Sequence, residues 1–282
     1  MLPAASVAGA DSAGIQISRE AVMSKQRSPL GLPDQLVLVT GAGRGLGAHI
    51  ARAFLREGAR VVVNYLSSEQ AARELAASAP GRALALQADV CDPEAVRAMA
   101  RTASEHFGMP VTTVINNALP AFRFDGDARP RAEALTWARM SQQMDGILRG
   151  ALNTTQAVLD GMRELGAGRI VNIGTNLVQN PVVPYHDYTA AKAALLAFTR
   201  TLSQELGESG ITVNMVSGGL LRVTDASRAT PEAVFDLVAA GTPLRTVTTP
   251  QEFADAVLFF ASPWARAVTG QNLVVDGGLV KN

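Results

Sequence analysis

The stretch that decides the fold is "QLVLVTGAGRGLG", residues 35–47. Its first half is an unbroken apolar run with β-branched residues, which is typical of a buried strand. Gly41, Gly45 and Gly47 follow, and the helical pattern "AHIARAFLREGA" over 48–59 comes after them. Such a strand–turn–helix segment can bind a pyrophosphate on the free amides of the helix N-terminus. A tight turn without a ligand is the alternative, since a glycine motif alone is weak.

Strand and helix patterns alternate from this segment to the end of the chain. Apolar runs predict further strands at 60–65, 82–90, 111–117, 168–174, 211–217 and 271–277. Helical patterns lie at 68–79, 92–108, 187–206, 231–240, 250–261 and within 132–165, where two long helices with a break or bend are expected. Apolar strands separated by helices indicate a parallel sheet covered on both faces. We predict one α/β domain over 34–282, a Rossmann fold with a doubly wound, mostly parallel, seven-stranded sheet.

The composition argues against several classes of protein. The 282 residues carry 25 basic and 25 acidic side chains, so the formal net charge is zero, whereas nucleic-acid binders usually have a basic surplus. No apolar run reaches the roughly 18 residues that a membrane helix needs. Cys91 is the only cysteine and the three histidines are scattered, so we predict no disulfide and no metal site. A lone cysteine fits a reducing compartment, and we expect a cytoplasmic protein without nucleic-acid or membrane partners.

Residues 1–33 differ from the rest of the chain. They are rich in Ala, Ser and Gly and have no sustained periodicity. No basic region is followed by an apolar one, so a signal peptide is not predicted. We expect a flexible tail, within which Met23 is an alternative start. An organelle-targeting segment is the other interpretation, against which Asp11 and Glu20 count.

Tyr188 and Lys192 lie four positions apart in "YHDYTAAKAALLAF", residues 185–198. Positions i and i+4 share a helix face, so the ammonium can lie near the phenol and lower a pKa that starts near 10. A tyrosine tuned in this way can pass a proton to a carbonyl oxygen while hydride arrives at the carbon. An exposed Tyr–Lys pair without function is the alternative.

Together these motifs resemble the short-chain dehydrogenase/reductase family. Its signatures appear in the family's order over roughly 34–282: Thr40 with the glycine spacing, "ADV" (88–90), "NNA" (116–118), Tyr-x-x-x-Lys, and "VTGQNLVVDGG" (268–278). The 3-oxoacyl-[acyl carrier protein] reductases are the subgroup that the chain looks most like.

The resemblance implies an NADPH-dependent carbonyl reductase acting on a small-molecule or acyl-thioester ketone. Hydride would pass to the ketone, Tyr188 would give the proton, and Lys192 would also bond the nicotinamide ribose. It further implies a homotetramer with the helices of 132–165 and 187–206 at one interface. The lid over the substrate would run from 218 to about 242.

Several residues depart from the family pattern. Thr175 replaces the serine thirteen positions before Tyr188, and its hydroxyl can still polarise a carbonyl. Ile147 replaces an asparagine that holds a water, and Leu119 replaces a glycine. These changes leave a second function open, an NADP(H)-binding sensor or scaffold with little or no catalysis.

The choice of cofactor follows from the end of the second strand. An acidic residue there would bond the ribose 2′-hydroxyl of NAD, but the first acid after "VVVNYLSS" is Glu69, inside the next helix. Asn64, Ser67 and Ser68 can donate hydrogen bonds to a 2′-phosphate, and Arg44 could reach it from the glycine loop. We therefore predict NADP(H), with a solvated Arg44 as the alternative.

The predicted catalytic residues are Tyr188, Lys192 and Thr175. The predicted cofactor contacts are Gly41, Gly43, Arg44, Gly45, Leu46, Gly47, Asn64, Ser67, Ser68, Asp89, Val90, Asn117, Ala118, Tyr188, Lys192, Gly219 and Leu221.

Overall fold

A parallel sheet of seven strands forms the centre of the protein. The structure, a computed structural model, describes residues 30–119 and 128–281. The strands are β1 (Leu36–Val39), β2 (Arg60–Tyr65), β3 (Ala83–Gln87), β4 (Thr113–Asn116), β5 (Gly168–Thr175), β6 (Ile211–Gly218) and β7 (Asn272–Val275). They lie in the order β3-β2-β1-β4-β5-β6-β7, and every neighbouring pair is parallel. The predicted doubly wound α/β fold is confirmed.

Helices cover both faces of this sheet. They are α1 (Gly45–Arg56), α2 (Glu69–Ala77), α3 (Pro93–Phe107), α4 (Trp137–Met144), α5 (Gly150–Leu165), α6 (His186–Leu206), α7 (Glu232–Gly241) and α8 (Pro250–Ala261). Val37 and Val39 of β1 pack in a core with side chains of α1 and α8, whereas Leu36 and Leu38 pack in a second core with α3 and α5. Because both faces of the strand are buried, its sequence is a continuous apolar run.

The break expected within 132–165 is a π-helical segment, Asp145–Arg149, between α4 and α5. Ile147 lies at its centre and is 3% exposed. A π segment inside a helix is rare and is found mostly at functional sites. Here it lies beside the crevice described below.

The crevice of the fold lies at the carboxyl ends of the strands. Strand order reverses between β1 and β4, and ligands of doubly wound sheets bind outside such a switch point. Of the predicted tail, residues 1–29 lie outside the described residues, while Leu32–Asp34 forms one 3₁₀ turn. No helix among the described residues has the length and apolar character needed to cross a membrane.

Candidate active site

The glycine loop after β1 depends on the absence of side chains. Gly41 and Gly45 have φ angles of 62° and 54°, in the left-handed region that favours glycine. A Cβ on Gly47 would lie 2.6 Å from Asn117 Nδ2 and 3.0 Å from the Ala42 Cα. The chain therefore turns tightly onto α1, whose N-cap residue makes no side-chain capping bond. The N-terminal amides of α1 are the kind of donors that bind a pyrophosphate.

Asn64 holds this loop from within the protein. It is 1% exposed, its Oδ1 accepts from the Gly41 N–H at 3.1 Å, and its Nδ2 donates to the Ala88 carbonyl at 3.0 Å. The oxygen and the nitrogen of the Asn64 amide thus both form hydrogen bonds with main-chain groups. This differs from the expected bond to a phosphate, because strand β2 buries the side chain beneath the loop. Asn64 positions the loop instead.

Other polar residues surround the loop at the surface. Ser67 is exposed, and the Ser68 side chain lies where a Cβ on Gly43 would be. The Arg44 side chain is 70% exposed, and its Nε lies 3.9 Å from Oδ2 of Asp225. Ser68 and Arg44 lie at the glycine loop, and the contact of Ser67, Ser68 and Arg44 with a phosphate stays a prediction.

Asp225 brings a carboxylate of the lid region to the same place. Its Oδ2 lies 3.7 Å from the Cβ position of Gly45, the first residue of α1. Its Oδ1 accepts from Arg228 Nη2 at 2.6 Å. An acidic side chain therefore lies next to the helix N-terminus that suits an anion.

The "NNA" segment joins the ends of β1 and β4. Thr40 Oγ1 accepts from the N–H groups of Asn117 and Ala118, both at 2.9 Å. Asn117 Nδ2 donates to the Thr40 carbonyl at 2.9 Å. These bonds place Asn117 and Ala118 beside the glycine loop, and their contact with a cofactor stays a prediction. Asp89 lies exposed after β3, and its Oδ1 accepts from the Cys91 N–H at 2.8 Å.

The three predicted catalytic residues come together at the end of β5 and the start of α6. Thr175, Tyr188 and Lys192 are 4%, 5% and 3% exposed. The Thr175 hydroxyl shares a hydrogen bond with the Tyr188 phenol. Lys192 Nζ donates to the Ile173 carbonyl at 2.6 Å. A phenol, a hydroxyl and an amine thus meet next to the glycine loop.

Burial controls the protonation of this group. It raises the pKa of Tyr188 to about 12, against a smaller lowering by the Thr175 hydrogen bond. It lowers the pKa of Lys192 to about 7. The expectation that Lys192 lowers the pKa of Tyr188 is wrong for the chain by itself, because desolvation outweighs attraction from an amine that is itself easily neutralised.

A narrow cavity of about 10 Å³, close to the room that one water needs, lies beside Lys192. Ile147, Gly146 and Gly150 line it from the π segment and α5, and Asn116 lines it from β4. A Cβ on Gly150 would lie 2.8 Å from Val90 Cγ2, so this glycine allows the close approach that sets the helix register. The Asn116 amide is already used by Asn172 and Thr154. Lys192 is therefore the charged group of the cavity.

The segment after β6 begins with a tightly packed glycine and a short turn. A Cβ on Gly218 would lie 2.9 Å from Phe253 Cε2, so the phenyl ring needs a glycine at this position. Val223 is 53% exposed. The Thr224 hydroxyl forms a turn with Ser227, at 3.0 Å between the two oxygens. Leu221 is 9% exposed and packs into the core, next to the crevice.

Asn176 and Asp276 are two site residues that the sequence patterns did not single out. Asn176 Nδ2 donates to Asp276 Oδ2 at 2.9 Å, directly behind Thr175. The one signal available is the acid between the last strand and two glycines in "VVDGG". A partner 100 positions away leaves no local pattern.

Comparison with known proteins gives matches over most of the chain. A family model described as "Enoyl-(Acyl carrier protein) reductase" matches residues 41–280. The 3-oxoacyl-[acyl-carrier-protein] reductase of Vibrio cholerae is 31% identical over 254 residues, covering 89% of this chain and 99% of the relative. The acetoacetyl-CoA reductase of Allochromatium vinosum is 34% identical over 250 residues, covering 87% and 98%. A short-chain type dehydrogenase/reductase of Picea abies is 34% identical over 259 residues, covering 88% and 93%.

Proposed function

Because the chain belongs to the short-chain dehydrogenase/reductase family, and is an oxidoreductase of the 3-oxoacyl-[acyl-carrier-protein] reductase type, we propose that it reduces a ketone with NADPH, with Tyr188 as the proton donor. A 3-oxoacyl thioester is the proposed substrate, in line with the names of the relatives. The observation that carries the proposal is the buried cluster of Thr175, Tyr188 and Lys192, in which Lys192 Nζ donates to the Ile173 carbonyl and lies 5.7 Å from the centre of the Tyr188 ring.

The residues around the glycine loop fit a dinucleotide. Gly41 and Gly47 let the loop turn tightly onto α1, and the N-cap of α1 makes no side-chain bond to its first amides. When bound, the reduced nicotinamide supplies the hydride. Ser67, Ser68 and Arg44 would take the 2′-phosphate of NADP(H), while Asn64 keeps the loop in shape.

Tyr188 is suited to give a proton at neutral pH. With a pKa of about 12 the phenol is fully protonated there, so it can donate to the carbonyl oxygen of the ketone. The Thr175 hydroxyl, which already bonds the phenol, can share that oxygen and stabilise the negative charge that develops on it. Burial of both residues excludes water from the transfer.

Lys192 is suited to return the proton. Its pKa of about 7 lets it gain and lose a proton near neutral pH. It lines the cavity next to the π segment, where Ile147 offers no polar side chain. A water of the cavity and the main chain would then connect Lys192 to solvent, because a site of this kind needs only room for one water and polar partners.

A ketone panel tests the proposal. Purified protein with NADPH is offered 3-oxoacyl thioesters and simple ketones, and loss of NADPH absorbance is followed. Turnover that disappears in Tyr188→Phe, with NADPH binding kept, supports the reductase. Tight NADPH binding without oxidation on any substrate, in both proteins alike, would instead favour the sensor or scaffold, to which the change at Ile147 points.

The same purified protein serves to test two further expectations, the choice of NADPH as cofactor and the homotetramer. NADH in place of NADPH tests the cofactor, and a clear preference for NADH would contradict the assignment. Sedimentation of the purified protein tests the homotetramer proposed from the family. The α4 and α6 helices pack on each other, and we propose their outer faces as part of one interface.

A further inference from the structure

A buried hydrogen bond ties the C-terminal segment to the strand that carries Thr175. Asn176 and Asp276 are each 6% exposed, and Asn176 Nδ2 donates to Asp276 Oδ2 at 2.9 Å. Asn176 follows Thr175 directly, and Asp276 follows β7. A hydrogen bond to an ionised group is stronger than one between neutral groups. This bond therefore holds the start of the 3₁₀ turn Asn176–Val178 in place.

The carboxylate of Asp276 is surrounded by main-chain donors as well. Its Oδ1 accepts from the Gly278 N–H at 3.0 Å, and its Oδ2 accepts from the Val280 N–H at 3.1 Å. Gly277 and Gly278 have φ angles of 73° and 84°, which lets the chain wrap around the carboxylate. The C-terminal turn thus fixes Asp276, and Asp276 in turn fixes Asn176.

The same pair supports the beginning of the lid. A Cβ on Gly219 would lie 3.0 Å from Asn176 Nδ2 and 3.1 Å from Asp276 Cβ. Gly219 therefore lies directly on the pair. The Asn176–Asp276 pair therefore touches two parts of the site. It adjoins Thr175 through Asn176, and it packs against the loop at Gly219, which is predicted to contact the cofactor.

Thr175 itself is held weakly by its own turn. Its Oγ1 accepts from the Leu177 N–H at 3.3 Å, near the upper limit for such bonds. The direction of the hydroxyl consequently depends on the position of the turn, which Asn176 anchors.

We propose that Asp276 is a positioning residue for the reduction, acting through Asn176 to keep the Thr175 hydroxyl on Tyr188. It touches neither substrate nor cofactor. The inference rests on the proposed function, since it gives the Thr175–Tyr188 bond a role in proton transfer. It also has a consequence independent of turnover, because the Thr175 hydrogen bond lowers the pKa of Tyr188.

Asp276→Asn is the central variant, because it keeps the shape and removes the charge. We expect kcat to fall about tenfold, the equivalent of one positioning bond of about 1.4 kcal/mol. We expect the Kd for NADPH to stay within about twofold, since Gly41 to Gly47 are untouched, and the alkaline limb of the kcat–pH profile to move to higher pH. In Asn176→Asp/Asp276→Asn the amide and the carboxylate exchange ends, and we expect kcat to recover in part.

Asp255→Asn is the matched control, because its carboxylate is exposed on α8 and pairs only with surface groups. It should leave kcat and the pH profile unchanged. A purely structural role for Asp276 would show as a lower Tm and a weaker NADPH Kd, with an unmoved pH profile and no recovery in the double variant; that result overturns the proposal. If Asp276→Asn does not fold, Asn176→Ala breaks the same bond and leaves Asp276 its two main-chain donors.

A measurement without turnover separates this inference from the proposed function. The chain has three tyrosines, so labelling Tyr Cζ with ¹³C gives three resonances, and Tyr188→Phe assigns the one needed. In Asp276→Asn, the Tyr188 resonance should move towards its position in Thr175→Ala, even if no ketone is ever reduced. An unmoved resonance overturns the positioning role; wild-type protein that oxidises no NADPH overturns only the proposed function.

Discussion

Lys192 Nζ lies 5.7 Å from the centre of the Tyr188 ring. It donates to the Ile173 carbonyl, and burial lowers its pKa to about 7. Burial raises the pKa of Tyr188 to about 12. At neutral pH the pair therefore holds a neutral phenol beside an amine that gains or loses its proton near that pH. Lys192 contributes an exchangeable proton more than a fixed positive charge.

Replacement of Lys192 by Met should change how stability depends on pH. The pKa of Lys192 is about 7 in the folded protein and 10.5 in the unfolded chain, so between these values the unfolded chain binds more protons. Stability of the wild type should then rise with pH through this window, by at most about 1.4 kcal/mol per unit. Lys192→Met should lack that rise.

Urea unfolding at pH 7, 8 and 9, at one protein concentration, measures the difference. Lys281→Met is the control, since Lys281 is exposed near the C-terminus. A difference between wild type and Lys192→Met that stays constant with pH would show that the amine keeps its ordinary pKa.

Thr175 should tolerate serine but not valine. Thr175→Val keeps the shape and removes the hydroxyl that bonds Tyr188, so kcat should fall about 10- to 100-fold with little change in the Kd for NADPH. Thr175→Ser should retain most of kcat, because the hydroxyl remains. Steady-state kinetics on one ketone measures both variants. Equal losses in the two would indicate that the methyl group, through packing, is what matters at this position.

The parts of the site that the sequence predicts are those coded by neighbours in the chain. The glycine loop is an example, because Gly41 and Gly45 supply the positive φ angles of the turn within one short stretch between a strand and a helix. Tyr188 and Lys192 are another, because four residues of helix bring them together. The role of Asn64 could not be predicted, since its partners are main-chain groups 23 and 24 positions away in the sequence.

Contacts between residues that are far apart in the sequence explain the other differences between prediction and structure. The Asn176–Asp276 bond joins residues that follow two different strands and lie 100 positions apart, so no spacing reveals it. The pKa of Lys192 depends on how completely α6 is covered, which periodicity does not give. The break in the α4–α5 region was predicted, but its π form around Ile147 required the three-dimensional packing.

Arg44 should decide between the two nicotinamide cofactors. Its side chain is mostly exposed at the mouth of the glycine loop, where we propose that it engages the 2′-phosphate of NADPH. Arg44→Ala should weaken NADPH binding about tenfold and leave NADH binding unchanged. Fluorescence titration of both cofactors measures this, with Arg73→Ala on α2 as an exposed control. Equal weakening of both would place Arg44 on the shared diphosphate instead.

Asp225 should oppose cofactor binding through its charge. Its carboxylate lies beside Gly45 and Arg44, where a diphosphate would bring like charge. Asp225→Asn should therefore tighten NADPH binding several-fold at low salt, with a smaller effect at high salt because ions screen the repulsion. Asp236→Asn on α7 is the control. Weaker binding in Asp225→Asn would show that the contact with Arg44 closes the lid in support of the cofactor.

Ile147 should limit the return of protons to Tyr188. Its apolar side chain lines the cavity beside Lys192 and offers no hydrogen bond to a water in it. Lys192 is therefore the charged group that such a water can contact. Ile147→Asn adds an amide at that place, so we expect kcat to rise several-fold. Tm should fall, because a buried amide with incomplete hydrogen bonding costs about 1–3 kcal/mol. Ile147→Leu is the control for shape. If Ile147→Asn folds and kcat does not rise, Lys192 and the main chain of the π segment already carry the proton fast enough, and the isoleucine has no kinetic cost.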